Sequence, residues 1–274
     1  MIRTLLNGIP VYRFSNLSRF PELQHFVTTR HGGVSVGGDA SFNLGFHESD
    51  TATNVKENRI RLATALDVPI ANFTHQIQIH SANITLVDAA LQGAGALDQE
   101  CAIQNNDALI TREKNICLVT KSADCVPMLF YDPVERTSAA VHAGWRGMIQ
   151  NIAGKTVEAM VHYLGCNPSN IVVGIGPSNG PCCYEVGADV EEAVAKVFPN
   201  MDGLLVKGRC LRNHLNQWEA NRRQLLQVGV MEENIEVAAI CTQCNGDDFF
   251  SARLGHTGRF AAGIMINDIS LITR

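Results

Sequence analysis

The sequence predicts an α+β fold in which mixed or antiparallel sheet is covered by helices, and three observations carry that prediction. Short β-type runs recur along the whole chain. Only four segments carry helical periodicity, and several strands follow one another with turns alone between them, so the strict alternation of a doubly wound sheet is missing. In chain order the β-type runs are 9–14, 25–29, 73–79, 84–87, 107–111, 116–121, 127–132, 137–142, 171–176, 235–241, 249–253 and 260–266, each rich in β-branched or aromatic residues. A first helix is expected over 54–66, where Asn54 and Glu57 make a capping-box pattern and Val55, Leu62 and Leu66 share a stripe. A second is expected over 148–164, with Ile149, Ile152, Val157, Met160, Val161 and Leu164 at helical spacing and Gly165 as its stop. The third spans 187–198 before Pro199, and the fourth 216–228 between Asn216/Glu219 and Gly229.

No Pro/Ser-rich hinge, repeat or low-complexity tract divides the 274 residues, so one domain over 1–274 is expected. Hydrophobic residues make up 46% and charged residues 18%, enough apolar surface for a sizeable core. Acidic residues outnumber basic ones 27 to 22 without a Lys/Arg cluster, which argues against nucleic acid as a partner. No apolar run is long enough to cross a bilayer, and "MIRTLLNGIP" does not read as a signal peptide, so the expected compartment is the cytoplasm, with no membrane partner. Nine cysteines without a framework-like spacing then read as reduced thiols.

The chemistry concentrates in "ADCVPMLFYDPVERTSAAVHAGWRG", 123–147, which holds Cys125 and His142. They read as a nucleophile and its base, as two ligands of one metal, or as core residues. Segments 127–132 and 137–142 have the pattern of a hairpin closed by Pro-Val-Glu-Arg. If Asp132 faces Thr137, Pro127 faces His142, and Cys125 becomes a diagonal neighbour of His142 on one face, within reach of a shared ion. A one-residue slip would turn the two side chains apart. In "HQIQIHS" the alternation puts His80 on the polar face of its strand. Together, His80, Cys125 and His142 make three protein ligands, the number that leaves a fourth tetrahedral position open on zinc.

Other features carry plainer alternatives. Cys241-Thr-Gln-Cys244 has knuckle or redox spacing but no second CxxC, and Cys182-Cys183 read as one buried and one exposed thiol. "GIGPSNG" follows a strand without dinucleotide-binding spacing and reads as a tight turn. Arg30, Arg59, Arg146 and Arg259 are possible oxyanion ligands, each with a solvated surface role as the alternative. Trp145 reads as a stacking wall or as core.

"TTRHGGVS", "NLG", "ENR", "DALIT", "ADCVPMLFYD", "VHAGWRG", "GIGPSNGPCCYEV", "CTQC" and "FFSARLGHTGR" run in order over nearly the whole chain. Together they strongly resemble the YfiH/YlmD family, also labelled laccase-domain or multicopper polyphenol oxidase. The resemblance implies a four-layer α/β/β/α fold, a metal site of His80, Cys125 and His142, and a monomer or homodimer. The activity it implies is phosphorolysis of adenosine, inosine and methylthioadenosine, with adenosine deamination beside it, so purine nucleosides and phosphate are the expected partners. Ser81 replaces the usual glycine after the first ligand, "SNG" the usual Ile-Gly ending of the GPS turn, and Ala252 the usual Tyr. On this reading Zn²⁺ is the cofactor, Arg59 and Arg146 bind the anion, and Asp124 handles the proton, although the H-x-E pattern of zinc deaminases is missing. A four-copper oxidase needs His-x-His pairs, and none of the nine histidines forms one. The general affinity order does favour Cu²⁺ over Zn²⁺ at a His/Cys/His site, so copper is expected in some preparations. The rival is a metal-free amidase acting on cell-wall precursors, with Cys125 as nucleophile and His142 as base.

Overall fold

The computed structural model describes residues 1–268 apart from residue 48 and residues 209–211. Two sheets stack face to face. In spatial order the first contains β1 (Ile2–Leu6), β2 (Ile9–Arg13), β3 (Leu23–Thr28), β14 (Phe260–Ile266), β7 (Cys117–Ser122) and β4 (Phe73–His75). The second contains β13 (Ile235–Val237), β10 (Val172–Ile175), β8 (Val126–Asp132), β9 (Thr137–Ala143), β6 (Ala108–Thr111) and β5 (Ile84–Leu86). Both are mixed, since β4 runs parallel to β7, β5 to β6 and β13 to β10. A short ribbon, β11 (Leu205–Lys207) with β12 (Asn213–Leu215), lies apart from them.

The alternation of side chains explains the layers. On β8 and β9 every residue is buried, as expected of strands covered on both faces. Val126, Met128, Phe130, Ala139 and Val141 pack toward α3 (Ile152–Leu164) and Leu225 of α5 (Gln217–Gln227). Leu129, Tyr131 and Ala140 turn the other way and meet Leu118, Phe260 and Ile264 of the first sheet. The outer face of that sheet, with Val11, Phe26 and Val119, is covered by Leu62, Ala63 and Leu66 of α1 (Ala52–Leu66). The result is the four-layer α/β/β/α arrangement. Each fully buried Phe or Leu contributes on the order of 1.5–3 kcal/mol, so the two faces of β8 tie three layers together.

The β8–β9 register is the expected one, with Asp132 opposite Thr137 and Pro127 opposite His142. Several expectations need correction. The segment 148–164 is two helices, α2 (Trp145–Ile149) and α3, because Asn151 takes a left-handed conformation and its side chain accepts the Gly154 N–H. Thr51, not Asn54, caps α1. The run 73–79 pairs as a strand only over β4, and 249–253 contains a 3₁₀ turn, Ala252–Leu254, instead of a strand. Strands β1, β11 and β12 had no clear sequence signal. Helix α4 (Ala188–Val197) and α5 lie close to their expected places, with Asn216 capping α5. Among the described residues no helix is long and apolar enough to cross a membrane.

Candidate metal centre and its cavity

The link Ala123–Asp124–Cys125 carries the chain from β7 of one sheet to β8 of the other. Asp124 turns it with φ +87°, and its carboxylate is fixed by the Thr242 hydroxyl at 2.6 Å and the Arg253 N–H at 2.9 Å. Cys125 therefore emerges at the mouth of β8. His142 lies two residues beyond Ala140 on β9 and so faces the space between the sheets, beside Cys125.

His80 arrives differently from the strand expectation. After β4 the chain leaves the sheet and turns at His80, which has φ +62°. Asp107, fully buried just before β6, holds that turn: its carboxylate accepts from the backbone N–H groups of Ile79 (3.2 Å), His80 (3.1 Å) and Ser81 (2.6 Å) and from the Ser81 hydroxyl (2.7 Å). The same carboxylate accepts from His142 Nδ1 at 2.9 Å, leaving Nε2 as the ligating nitrogen. The ligand atoms of His80, Cys125 and His142 then lie within 4.8 Å of one another, with His80 Nε2 3.7 Å from Cys125 Sγ.

Cys125, His142 and Asp107 shift one another's ionisation. Burial alone would raise the Cys125 thiol, but the charge and hydrogen bond of His142, with His80 behind them, hold it down to about 6. Burial would lower His142, but Cys125 and Asp107 raise it to about 9. Asp107 lies below the ordinary carboxylate range because His142 and Ser81 outweigh its burial. A thiolate between two imidazoles, one braced by a carboxylate, is a borderline-soft donor set that suits zinc and leaves an open position.

The centre opens into a cavity of about 570 Å³. Trp145 and Tyr184 supply flat walls, and Asp124 is the carboxylate that lines it among the described residues. Another part of the lining is cationic. Arg59 is buried beneath Phe46, 4.5 Å from its ring, and donates to the carbonyls of Leu44, Gly95 and Ala96. No carboxylate pairs with it among the described residues. Burial lowers Arg59 to about 9, and burial together with the Arg59 charge lowers Lys121 to about 7. Nearby, both ring nitrogens of His75 and the Gln76 amide nitrogen are buried without a partner.

The expected arginines separate. Arg59 and Arg259 line the cavity. Arg30 lies outside the cavity lining and donates to the carbonyls of Ala40 and Gly246, while Arg146 is exposed on α2 and stacks 4.4 Å from the Trp145 ring. Asp107, Lys121 and Arg253 escaped the sequence reading. Asp107 had one weak signal, a carboxylate opening the apolar run "DALIT".

Residues 24–267 match the family model described as "Multi-copper polyphenol oxidoreductase laccase". A protein of Bacteroides thetaiotaomicron named purine nucleoside phosphorylase is 38% identical over 257 residues, covering 93% of this chain and 95% of its own. A protein named adenosine deaminase RL5, from an unknown prokaryotic organism, is 34% identical over 88% of this chain and 93% of its own. Among solved structures, YlmD from Geobacillus stearothermophilus superposes with a TM-score of 0.87 at 38% identity, covering 91% of this chain and 93% of that one.

Proposed function

The chain belongs to the family described as multi-copper polyphenol oxidoreductase laccase, and from that membership and its site we propose that it is a zinc-dependent enzyme of purine nucleosides. The proposed reaction is phosphorolysis of adenosine, inosine and S-methyl-5'-thioadenosine to the free base and the sugar 1-phosphate, with deamination of adenosine as a second activity. The observation that carries the proposal is one cavity that joins a candidate three-ligand centre to a buried arginine, Arg59, and a half-buried lysine, Lys121, neither of which has a carboxylate partner among the described residues. Relatives named purine nucleoside phosphorylase and adenosine deaminase support the substrate class.

His80, Cys125 and His142 would hold the zinc, which supplies Lewis-acid polarisation of an oxygen when bound. The other roles fall to the chain's own groups. Asp107 keeps the His142 Nδ1 proton in place. Arg59 and Lys121 offset the charge of phosphate in a cavity where water screens poorly. Trp145 and Tyr184 flank the flat purine. In phosphorolysis a phosphate oxygen bonds to the ribose anomeric carbon as the bond to the purine nitrogen breaks, and that nitrogen takes a proton. Asp124 is the proposed proton-handling group, while Arg30 and Arg146, which lie outside the cavity lining, carry no proposed contact with the anion.

Incubation of the purified protein with inosine, with and without phosphate, tests this reading. Release of hypoxanthine with ribose 1-phosphate only when phosphate is present is expected; equal release without phosphate would overturn phosphorolysis. A second reading, a Cys/His amidase, is favoured by the thiolate–imidazolium character of Cys125 and His142. It predicts a metal-free enzyme inactivated by alkylation of Cys125.

A further inference from the structure

Four thiols that are far apart in sequence meet outside the nucleoside cavity. Cys182 and Cys183 sit on the loop after β10, and Cys241 and Cys244 on the loop after β13. Contrary to the sequence expectation, neither Cys182 nor Cys183 is buried. The four sulfurs all lie within 4.8 Å of one another, with Cys244 Sγ 3.5 Å from Cys182 Sγ and 3.4 Å from Cys183 Sγ. Bonded sulfurs would be about 2.05 Å apart, so these are separate thiols. Zinc–sulfur bonds of about 2.3 Å place the sulfurs of a tetrahedral site about 3.8 Å apart, which these positions bracket.

The surrounding backbone favours a thiolate at Cys241. The Cys241 sulfur accepts the Gly180 N–H at 3.3 Å and faces the N–H of Cys244 within its own CxxC turn. A Cβ on Gly180 would lie 2.6 Å from the Trp218 ring and 3.1 Å from the Cys241 Cβ, so glycine lets the two loops approach. The loops are already laced by Ser178 N–H to the Ile240 carbonyl and Thr242 N–H to the Ser178 carbonyl.

We propose that Cys182, Cys183, Cys241 and Cys244 form a closed four-thiolate zinc site that pins these two loops together. Binding releases the thiol protons to solvent, and four protein ligands leave no position for substrate, so the role is structural. It reaches the cavity through positioning. Thr242, between two of the ligands, donates to Asp124, and Tyr184, next to Cys183, lines the cavity with Arg253 5.3 Å from its ring. The site does not depend on the nucleoside reading.

The test uses the full chain, purified under reducing conditions with zinc and then desalted. His80→Ala is expected to keep about one zinc per chain, and the Cys182→Ser/Cys244→Ser double variant to lose that zinc while keeping the one at His80, Cys125 and His142. In the unsubstituted protein, alkylation of Cys182 and Cys244 is expected to rise at least about tenfold on adding a strong chelator. Exposed Cys101 serves as the unaffected control. This second measurement stands even if the double variant fails to fold. Chelator-independent alkylation, a His80→Ala protein without zinc, or a disulfide among the four in cells lysed directly into alkylating reagent would each overturn the proposal. A chain whose only zinc survives His80→Ala would instead support this site and overturn zinc at the nucleoside centre.

Discussion

At the scale of single residues, Asp107 organises the centre without touching a metal. Five donors converge on its carboxylate, from the turn that carries His80 and from His142 itself. Asp107→Asn presents an amide N–H₂ where acceptors are needed, and is expected to weaken zinc binding about 10- to 100-fold, read by competition with a chromogenic chelator. Lys121 makes a separable prediction. Its Nζ donates to the Gln76 carbonyl and shares the cationic lining with Arg59. Lys121→Met is expected to raise the KM for phosphate by about tenfold or more, corresponding to roughly 1.4 kcal/mol, with a smaller change in the KM for inosine. Equal changes in both would argue against an anion role. Cys125 and His142 were readable because they share a hairpin whose register is encoded locally. Asp107 was not, because nothing in "NNDALIT" tells which distant donors its carboxylate will meet.

At the scale of elements, the junction of β9 with α2 decides the site's tightness. Gly144 has an ordinary φ of −70°, so the backbone does not require glycine there. Space does: a Cβ would lie 2.4 Å from His80 Cδ2 and 3.3 Å from Cys125 Sγ. Gly144→Ala is therefore expected to displace the His80 ring and lose the metal held at His80, Cys125 and His142, about one zinc per chain, while far-UV circular dichroism and the thermal midpoint change little. The break between α2 and α3 gives another prediction. Asn151 supplies both a left-handed turn and the α3 cap, and α3 covers the outer face of β8 and β9. Asn151→Ala is expected to cost about 1–2 kcal/mol, visible as a fall of a few degrees in thermal midpoint. The sequence reading ran one helix through this point because apolar periodicity continues across it, and periodicity does not register a single left-handed residue.

At the scale of the whole molecule, buried neutral histidines link stability to acid. His25, 1% exposed, accepts the Phe14 N–H through Nε2, and burial followed by the charge of Arg13 lowers it to about 4. His75 is lowered well below its ordinary value, mainly by burial. Below about pH 6.5 the unfolded chain binds protons at these positions and the folded chain does not, so stability falls as pH falls from about 6.5 toward 4. For His25 the loss approaches about 3 kcal/mol. His25→Gln, which retains an acceptor, is expected to flatten the denaturation midpoint against pH across that window; an unchanged slope would assign the acid sensitivity elsewhere. By itself the sequence determined the α+β class, the β8–β9 register and the placement of Cys125 beside His142, because strand alternation and turn chemistry act between near neighbours. Only the tertiary structure decided that a turn held by Asp107 would bring His80 to that pair, that Arg59 and Lys121 would share a cavity lining, and that Cys182 and Cys183 would meet Cys241 and Cys244. Those contacts form when separate loops are brought together by the stacking of the two sheets, and no local pattern in the chain encodes that approach.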